Sequence, residues 1–348
     1  QTLMAAVRPP PKSMSFEGSE DTQAVSDSII RVNSLTAGYG RTKKKIVLRD
    51  VSLDVPRGQV VGVIGESGCG KSTLARVIAG LLPQVSGEIY HHGENLRDTA
   101  KRRTRDILKN IQIVFQMPDV AVNPRHRVRE ILGRPLHLFM GLDAGARESR
   151  IDELLELVEL PASYKTRFPG ELSGGEKQRI NLARALAAEP ELILCDEVTS
   201  ALDTVVGKAI IDLLKKLQTN LGVAYLFISH DLSTVASFAD QVVVLYAGRV
   251  VEQGSLASVL APPFHPYTRL LLGSVPELRT DWLDGVVASK THLDHLGQSV
   301  DGDAVGCPFF NRCTSAVEDV CNRLDPPLRE ASQGHTVACH LELDSLRT

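Results

Sequence analysis

The sequence predicts an α/β protein with a largely parallel sheet, a helical insertion and a small cysteine-rich C-terminal module. Three observations predict it. Short apolar runs of strand length alternate with stretches of helical periodicity from Ile29 onward. A glycine-rich segment, GESGCGKST (residues 65–73), joins one such strand to one such helix. Four of the six cysteines, Cys307, Cys313, Cys321 and Cys339, crowd the last 42 residues, where the strand–helix alternation has stopped.

Taken in order, residues 1–28 are rich in Pro, Ser and acidic side chains and read as a linker. IIRVNSL and IVLRDVSLDV alternate as half-buried strands, and QVVGVIG is a short apolar run of strand type. KSTLARVIAGLL follows with Leu74, Val77, Ile78 and Leu81 at helical spacing. Residues 126–188 read as mainly helical, with Ile151, Leu154, Leu155 and Val158 on one face of RIDELLELVEL. Strand patterns return at LILCDE, VAYLFISH and QVVVLYAGRVVEQG, the last turning at Gly248. Beyond about Pro263 the pattern gives way to Pro, Gly and Cys. The expected organisation is a linker over 1–28, a core domain over 29–264 with its helical part at about 119–188, and a module over 265–348.

The 43% hydrophobic and 23% charged content is ordinary for a globular chain, and the net charge of −3 gives no electrostatic footprint for nucleic acid. No run of 18 apolar residues occurs, so association with a membrane is expected to come through partners.

Residues 65–73 fit G-x-x-x-x-G-K-[ST] in the strand-to-helix context that gives the pattern meaning. Gly65, Gly68 and Gly70 let the backbone curl, so that amides of Glu66, Ser67, Cys69 and their neighbours can face phosphates. The helix N-terminus adds partial positive charge. Lys71 would neutralise the β- and γ-phosphates, the Ser72 hydroxyl would ligate Mg²⁺, and Thr73 completes the loop. Cys69 and Cys195 read as packing groups. A second glycine-bearing helix start, LSGGE (Leu172, Ser173, Gly174, Gly175, Glu176), opens EKQRINLARALA. Two anion-binding helix ends, one in the core and one in the insertion, predict a dimer in which each nucleotide lies between one subunit's loop and the other's helix end.

With these two motifs in order, the chain resembles the ATP-binding cassette (ABC) ATPases, a P-loop NTPase fold with an antiparallel β part and an inserted helical subdomain. The resemblance implies roles for further residues. LILCDE is similar to the Walker B strand, with Asp196 in the magnesium shell and Glu197 polarising the attacking water. Gln116, in IVFQ, corresponds to the glutamine that touches both Mg²⁺ and the membrane partner. His230, in FISHD, corresponds to the switch histidine near the γ-phosphate. Ser200, Ala201, Leu202 and Asp203 resemble the loop through which two cassettes sense one another. Tyr39, 26 residues before Gly65, resembles the aromatic residue that stacks on adenine. Hydrolysis of ATP held between two cassettes would then let them separate.

FHPYTRLLL, GCPFFNRC and VACH resemble the C-terminal extension of the oligopeptide/dipeptide/nickel importer ATPases, a likeness running over about residues 29–343. That family implies transport of peptides or related small solutes (opines, nickel complexes, glutathione). It also implies two transmembrane permease subunits, an extracytoplasmic substrate-binding protein, and a location on the cytoplasmic face of the inner membrane. The rival from another class is a soluble ABC ATPase of nucleic-acid repair or translation. The cysteine spacing C-x5-C-x7-C-x17-C lacks the C-x2-C pairs of common zinc sites and fits an iron–sulfur cluster at least as well. The family resemblance implies a 4Fe–4S cluster on Cys307, Cys313, Cys321 and Cys339, with Zn²⁺ the alternative. NPRHRV (Asn123–Val128) is similar to the region facing the membrane subunit. Finally, Gln1–Val7 (QTLMAAV) runs in step with residues 269–275 (RLLLGSV). This leads to the expectation that the chain is the second cassette of a fused pair.

Overall fold

The computed structural model describes residues 28–40, 45–273 and 305–347. Strands β1 (Ser28–Tyr39), β2 (Lys45–Pro56), β4 (Ser86–His91) and β5 (Glu94–Asn95) form an antiparallel sheet in the order β2-β1-β4-β5. A second sheet holds β3 (Val60–Ile64), β6 (Ile111–Val114), β7 (Leu192–Asp196), β8 (Ala224–Ile228), β9 (Gln241–Tyr246), β10 (Arg249–Ser255), β11 (Leu328–Ser332) and β12 (His335–Ala338). Its order is β11-β12-β10-β9-β3-β8-β7-β6, parallel from β9 through β6 and antiparallel from β9 outward to β11.

The parallel strands are short and apolar throughout because both of their faces are covered. Every residue of β3, β7 and β8 is buried. Their side chains divide by parity. Leu192, Leu194, Leu226 and Ile228 pack with the antiparallel sheet and with helix α1 (Lys71–Ile78). Ile193, Cys195, Tyr225 and Phe227 pack with the helical layer on the opposite face. That layer includes α2 (Val128–Pro135), α3 (Ala144–Leu157), α4 (Gly174–Leu186) and α5 (Thr204–Leu221). One sheet thus carries two cores, and the ends of its parallel strands lie between them.

Two sequence expectations change. Helix α1 stops at Ile78, and Leu81 is exposed rather than helical. Gly80 takes φ +73°, and the amides of Leu81 and Leu82 bond back to the carbonyl of Arg76, closing the helix end. The alternation predicted for IIRVNSL is broken: Ile29 and Ile30 are both buried, and register shifts interrupt the β1–β2 ladder. The sheet also continues beyond β9 with antiparallel strands. Its antiparallel extension takes in β12 and β11 of the C-terminal segment through the β10–β12 pairing.

That junction is held by a buried polar group. Glu252, on β10, is fully buried; one carboxylate oxygen accepts the backbone N–H of His265 at 2.8 Å and the other faces His335 Nε2 at 2.9 Å. A buried carboxylate is tolerated where such partners replace water. Here they tie β12 and α6 (Pro266–Gly273) to the core sheet. Residues 1–27, where the Gln1–Val7 resemblance falls, lie outside the described residues.

Candidate functional site

β3 ends at Ile64 and α1 begins at Lys71, so the loop between them starts in the core and finishes at a helix N-terminus. Two glycines make this path possible. Gly65 has φ +155°, and a Cβ there would stand 2.1 Å from the carbonyl oxygen of Leu245. Gly70 has φ +111°, and a Cβ there would meet Leu48 Cδ2 at 2.6 Å. The first turn of α1 carries no acidic side chain, so the partial positive charge of its start is not cancelled.

Lys71 is almost wholly buried, and its ammonium donates to the carbonyls of Gly65 (2.7 Å) and Glu66 (3.0 Å). It also stands 3.7 Å from Glu197 Oε1. Ser72 Oγ donates to Asp196 Oδ1 at 2.7 Å. Burial pushes the Asp196 carboxyl upward, and the Ser72 hydrogen bond opposes that push. Glu197 follows the last residue of β7 and adopts φ +49°, a left-handed conformation uncommon for a non-glycine residue. Its Oε2 accepts from Gln116 Nε2 at 3.1 Å and lies 3.6 Å from His230 Nδ1. Gln116 also bonds Ser200 Oγ at 3.0 Å. Tyr39 is held beside the loop, its hydroxyl 3.3 Å from Thr73 Oγ1 and 3.3 Å from Arg76 Nη1.

Tyr39, the 65–73 loop, Gln116, Asp196, Glu197, Ser200 and His230 are therefore brought to one mouth. Glu66, Ser67 and Gly68 face outward on its rim, whereas Cys69 and Cys195 are buried, and burial raises both thiols above their ordinary range. The LSGGE segment has different neighbours. Ser173 caps α4, sharing a reciprocal capping box with Glu176, which also accepts the Tyr164 hydroxyl. A Cβ on Gly175 would lie 2.5 Å from Val206 Cγ1, and one on Gly174 would lie 3.5 Å from Leu202. Ala201 is exposed, and Asp203 caps α5 by accepting the amides of Val205 and Val206.

A G-x-x-x-x-G-K-[ST] loop, an Asp-Glu pair at a strand end and a separate capped LSGG helix stand together in one chain. Models of two families match: "ABC transporter" over residues 48–200, and "Oligopeptide/dipeptide transporter, C-terminal region" over residues 251–321. A putative peptide import ATP-binding protein of Brucella abortus is 41% identical over 334 residues, 95% of this chain and 97% of its own length.

The chain belongs to the ABC transporter ATPases.

Among other ABC relatives, the oligopeptide transport ATP-binding protein AppF of Bacillus subtilis is 39% identical over 84% of this chain and 88% of its own. The corresponding OppF of Haemophilus influenzae is 37% identical over 90% and 94%. The solved structure of a post-hydrolysis dimer of the ATP-binding cassette MJ0796 with ADP and Pi matches with a TM-score of 0.59 and 31% identity. The match covers 65% of this chain and 98% of that one. The cassette cbiO1 of Clostridium perfringens matches with a TM-score of 0.62 and 27% identity, over 75% and 99%. The protein is an ABC-type ATPase. Among the described residues, no helix is long and apolar enough to cross a membrane.

Sequence reasoning missed a second support of the 65–73 loop. Arg312, between Cys307 and Cys313, pairs with Glu66, and its guanidinium also reaches the Tyr246 hydroxyl at 3.3 Å. Burial would lower that guanidinium, but Glu66 and Tyr246 more than offset it and raise it. The Tyr267 hydroxyl accepts the Glu66 backbone N–H at 2.9 Å. Tyr246, Tyr267 and Phe309 form an aromatic cluster beneath these bonds, with ring centroids 4.5–5.7 Å apart. Nothing local in the sequence marks a pair 246 positions apart.

None of the four clustered cysteines forms a disulfide. The Cys321 sulfur accepts the backbone N–H of Val317 at 3.4 Å. Burial raises Cys307 to about 11, with the neighbouring thiols adding to the rise.

Proposed function

We propose that this chain is the ATP-hydrolysing subunit of an importer for peptides or chemically related small solutes. The observation that carries this reading is the mouth in which Ser72 meets Asp196 while Glu197 meets Gln116, on a chain whose C-terminal part matches the oligopeptide/dipeptide transporter region. Relatives named for peptide import, aligned over 84–95% of the chain, support the substrate class.

In this reading the loop amides and Lys71 hold the phosphates of ATP, and Tyr39 stacks on the adenine. The Ser72 hydroxyl and the Asp196 carboxylate, 2.7 Å apart, are hard oxygen donors suited to Mg²⁺, and Gln116 adds a third. Bound Mg²⁺ would supply charge neutralisation at the β- and γ-phosphates. Glu197 orients and polarises the attacking water, and His230, exposed at the rim, faces the γ-phosphate. Leu172–Glu176 serve the nucleotide of a second cassette, whose own LSGG helix completes this site, and Ser200–Asp203 lie at the junction between the two. Exposed Met117 and Val120, immediately after Gln116, support docking of this region on a hydrophobic permease pair. That arrangement makes the protein peripheral to the membrane, with an extracytoplasmic binding protein delivering the solute.

The cysteine module is proposed to hold a 4Fe–4S cluster on Cys307, Cys313, Cys321 and Cys339. The Val317 N–H on Cys321 is a donor of the kind that suits an anionic thiolate. Anaerobically purified protein should be brown, with iron and acid-labile sulfide in near-equal amounts; colourless protein carrying zinc would overturn the assignment.

The functional reading is tested by reconstituting the chain with its permease subunits and binding protein. Peptide should stimulate ATP hydrolysis. Stimulation by DNA or RNA, with no membrane association, would instead establish the repair-or-translation reading.

A further inference from the structure

His91 ends β4, and His92 with Gly93 forms the two-residue turn into β5, where His91 pairs with Glu94. Both turn residues have positive φ, +49° and +81°, the geometry usually supplied by Asn-Gly. A histidine in the first turn position brings two successive imidazoles together, with ring centroids 4.3 Å apart and planes at 62°. The third member comes from the other sheet. Glu191 immediately precedes the Walker B strand β7, and its backbone is fixed there: its N–H donates to Asn110 and its carbonyl accepts from Ala224.

The Glu191 Oε2 lies 2.6 Å from His92 Nε2, and its other oxygen lies 3.7 Å from Arg57. His91 Nε2 stands 3.3 Å from the same Oε2 yet makes no aligned hydrogen bond, although the residue is only 7% exposed. A simple histidine–glutamate pair therefore accounts for His92 and leaves a buried imidazole nitrogen aimed into the cluster without a partner. Such a nitrogen is costly unless something else takes its lone pair. The three candidate ligand atoms lie within 4.8 Å of one another, and among the described residues this is the only such triad of His, Cys, Asp or Glu.

We propose that His91 Nε2, His92 Nε2 and the Glu191 carboxylate bind a divalent transition metal of the zinc type. Two imidazoles and one carboxylate form the donor set that such a metal takes, with a fourth position left for water. His92 and Glu191 are both about one-third exposed, which gives an entry path from solvent. Arg57 remains on the far oxygen of Glu191, placed to keep that carboxylate oriented. Because His91 belongs to the antiparallel sheet and Glu191 to the entry of the Walker B strand, the metal would clamp the two layers together at the end of β7 remote from Asp196. This site is separate from the cysteine module and from the ATP mouth, and it does not depend on the transport reading.

The test is a titration of the full chain, its cysteine module intact, with Co²⁺ as a spectroscopic probe and with Zn²⁺ followed by thermal unfolding. The wild type should bind one equivalent of Co²⁺ with a d–d spectrum free of thiolate-to-metal charge transfer, and Zn²⁺ should raise its Tm. His92→Gln, at an exposed turn, should bind at least about tenfold more weakly, since losing one of three ligands removes 1.4 kcal/mol or more. Glu191→Gln should behave likewise, while basal ATP hydrolysis in His92→Gln stays at the wild-type rate. Equal affinity and equal Tm gain in wild type and His92→Gln, or a cobalt spectrum composed only of thiolate charge transfer, would overturn the proposal.

Discussion

Arg312, the residue before Cys313, grips Glu66 of the phosphate loop by both carboxylate oxygens at 2.9 Å. The cysteine-bearing segment and the 65–73 loop are thus in direct contact, with Phe309 packed against both Tyr246 and Arg312. A bidentate guanidinium–carboxylate pair fixes orientation as well as charge. Without it, Glu66 would present an unpaired negative charge beside bound phosphates. Arg312→Ala should raise the KM for ATP about 3- to 10-fold, the range expected of a partly exposed pair, with kcat changed less. Arg312→Lys should recover only part of the loss, because an ammonium cannot reproduce the fork. Steady-state kinetics on the three proteins checks this.

Gly65 is the second point where the loop admits no substitute. A methyl group there would enter the Leu245 carbonyl and the Cys69 sulfur while the backbone holds φ +155°. Gly65→Ala should destabilise the protein by about 2–4 kcal/mol and abolish measurable ATP binding. Denaturant unfolding and nucleotide titration read the two effects separately. By contrast Gly68, whose added Cβ would meet nothing within 4 Å, should tolerate Ala with only its φ strain of about 1 kcal/mol.

His265 makes stability depend on pH. Burial lowers its pKa to about 4, and its Nδ1 accepts the Tyr267 N–H at 3.0 Å, a bond that protonation would destroy. Its charged and titratable neighbours are Glu252, which binds the His265 amide, and Tyr267; His335 shares Glu252 from β12. The unfolded imidazole titrates near 6.5. Between about 6.5 and 4 the unfolded chain therefore holds a proton that the folded chain refuses, and stability falls as pH is lowered through that window. The full loss is about 3 kcal/mol at and below pH 4. Unfolding free energies measured across this range should show His265→Gln with a slope shallower by about one proton.

The parts of this architecture that were legible in the sequence are local. Strand-length apolar runs at 60–64, 192–196 and 224–228 announce strands buried on both faces, since nothing else accounts for such runs between helices. The loop at 65–73 and the glycine-bearing helix start at 172–176 are chemical patterns complete within nine residues. What stayed hidden depends on pairs far apart in sequence. The β10–β12 pairing, the Glu252–His335 contact and the Arg312–Glu66 pair join segments separated by some 80 residues or more. The end of α1 was hidden for a different reason: Leu81 keeps the helical period, but Gly80 reverses the backbone before it. Among the mouth residues, Gln116 and His230 carry little in their own neighbourhoods. Their meaning comes from Glu197, which both reach in space.

The site assignment as a whole turns on Glu197, whose oxygens face Lys71, Gln116 and His230. The decisive measurement is single-turnover release of phosphate from Mg-ATP by the Glu197→Gln chain, assembled with its partner cassette and permease, alongside nucleotide binding by the same protein. ATP affinity should stay within about threefold of wild type while hydrolysis at this site falls by about 100-fold or more, as expected for loss of a group that acts in the transition state. Hydrolysis at the wild-type rate in that variant would contradict the account.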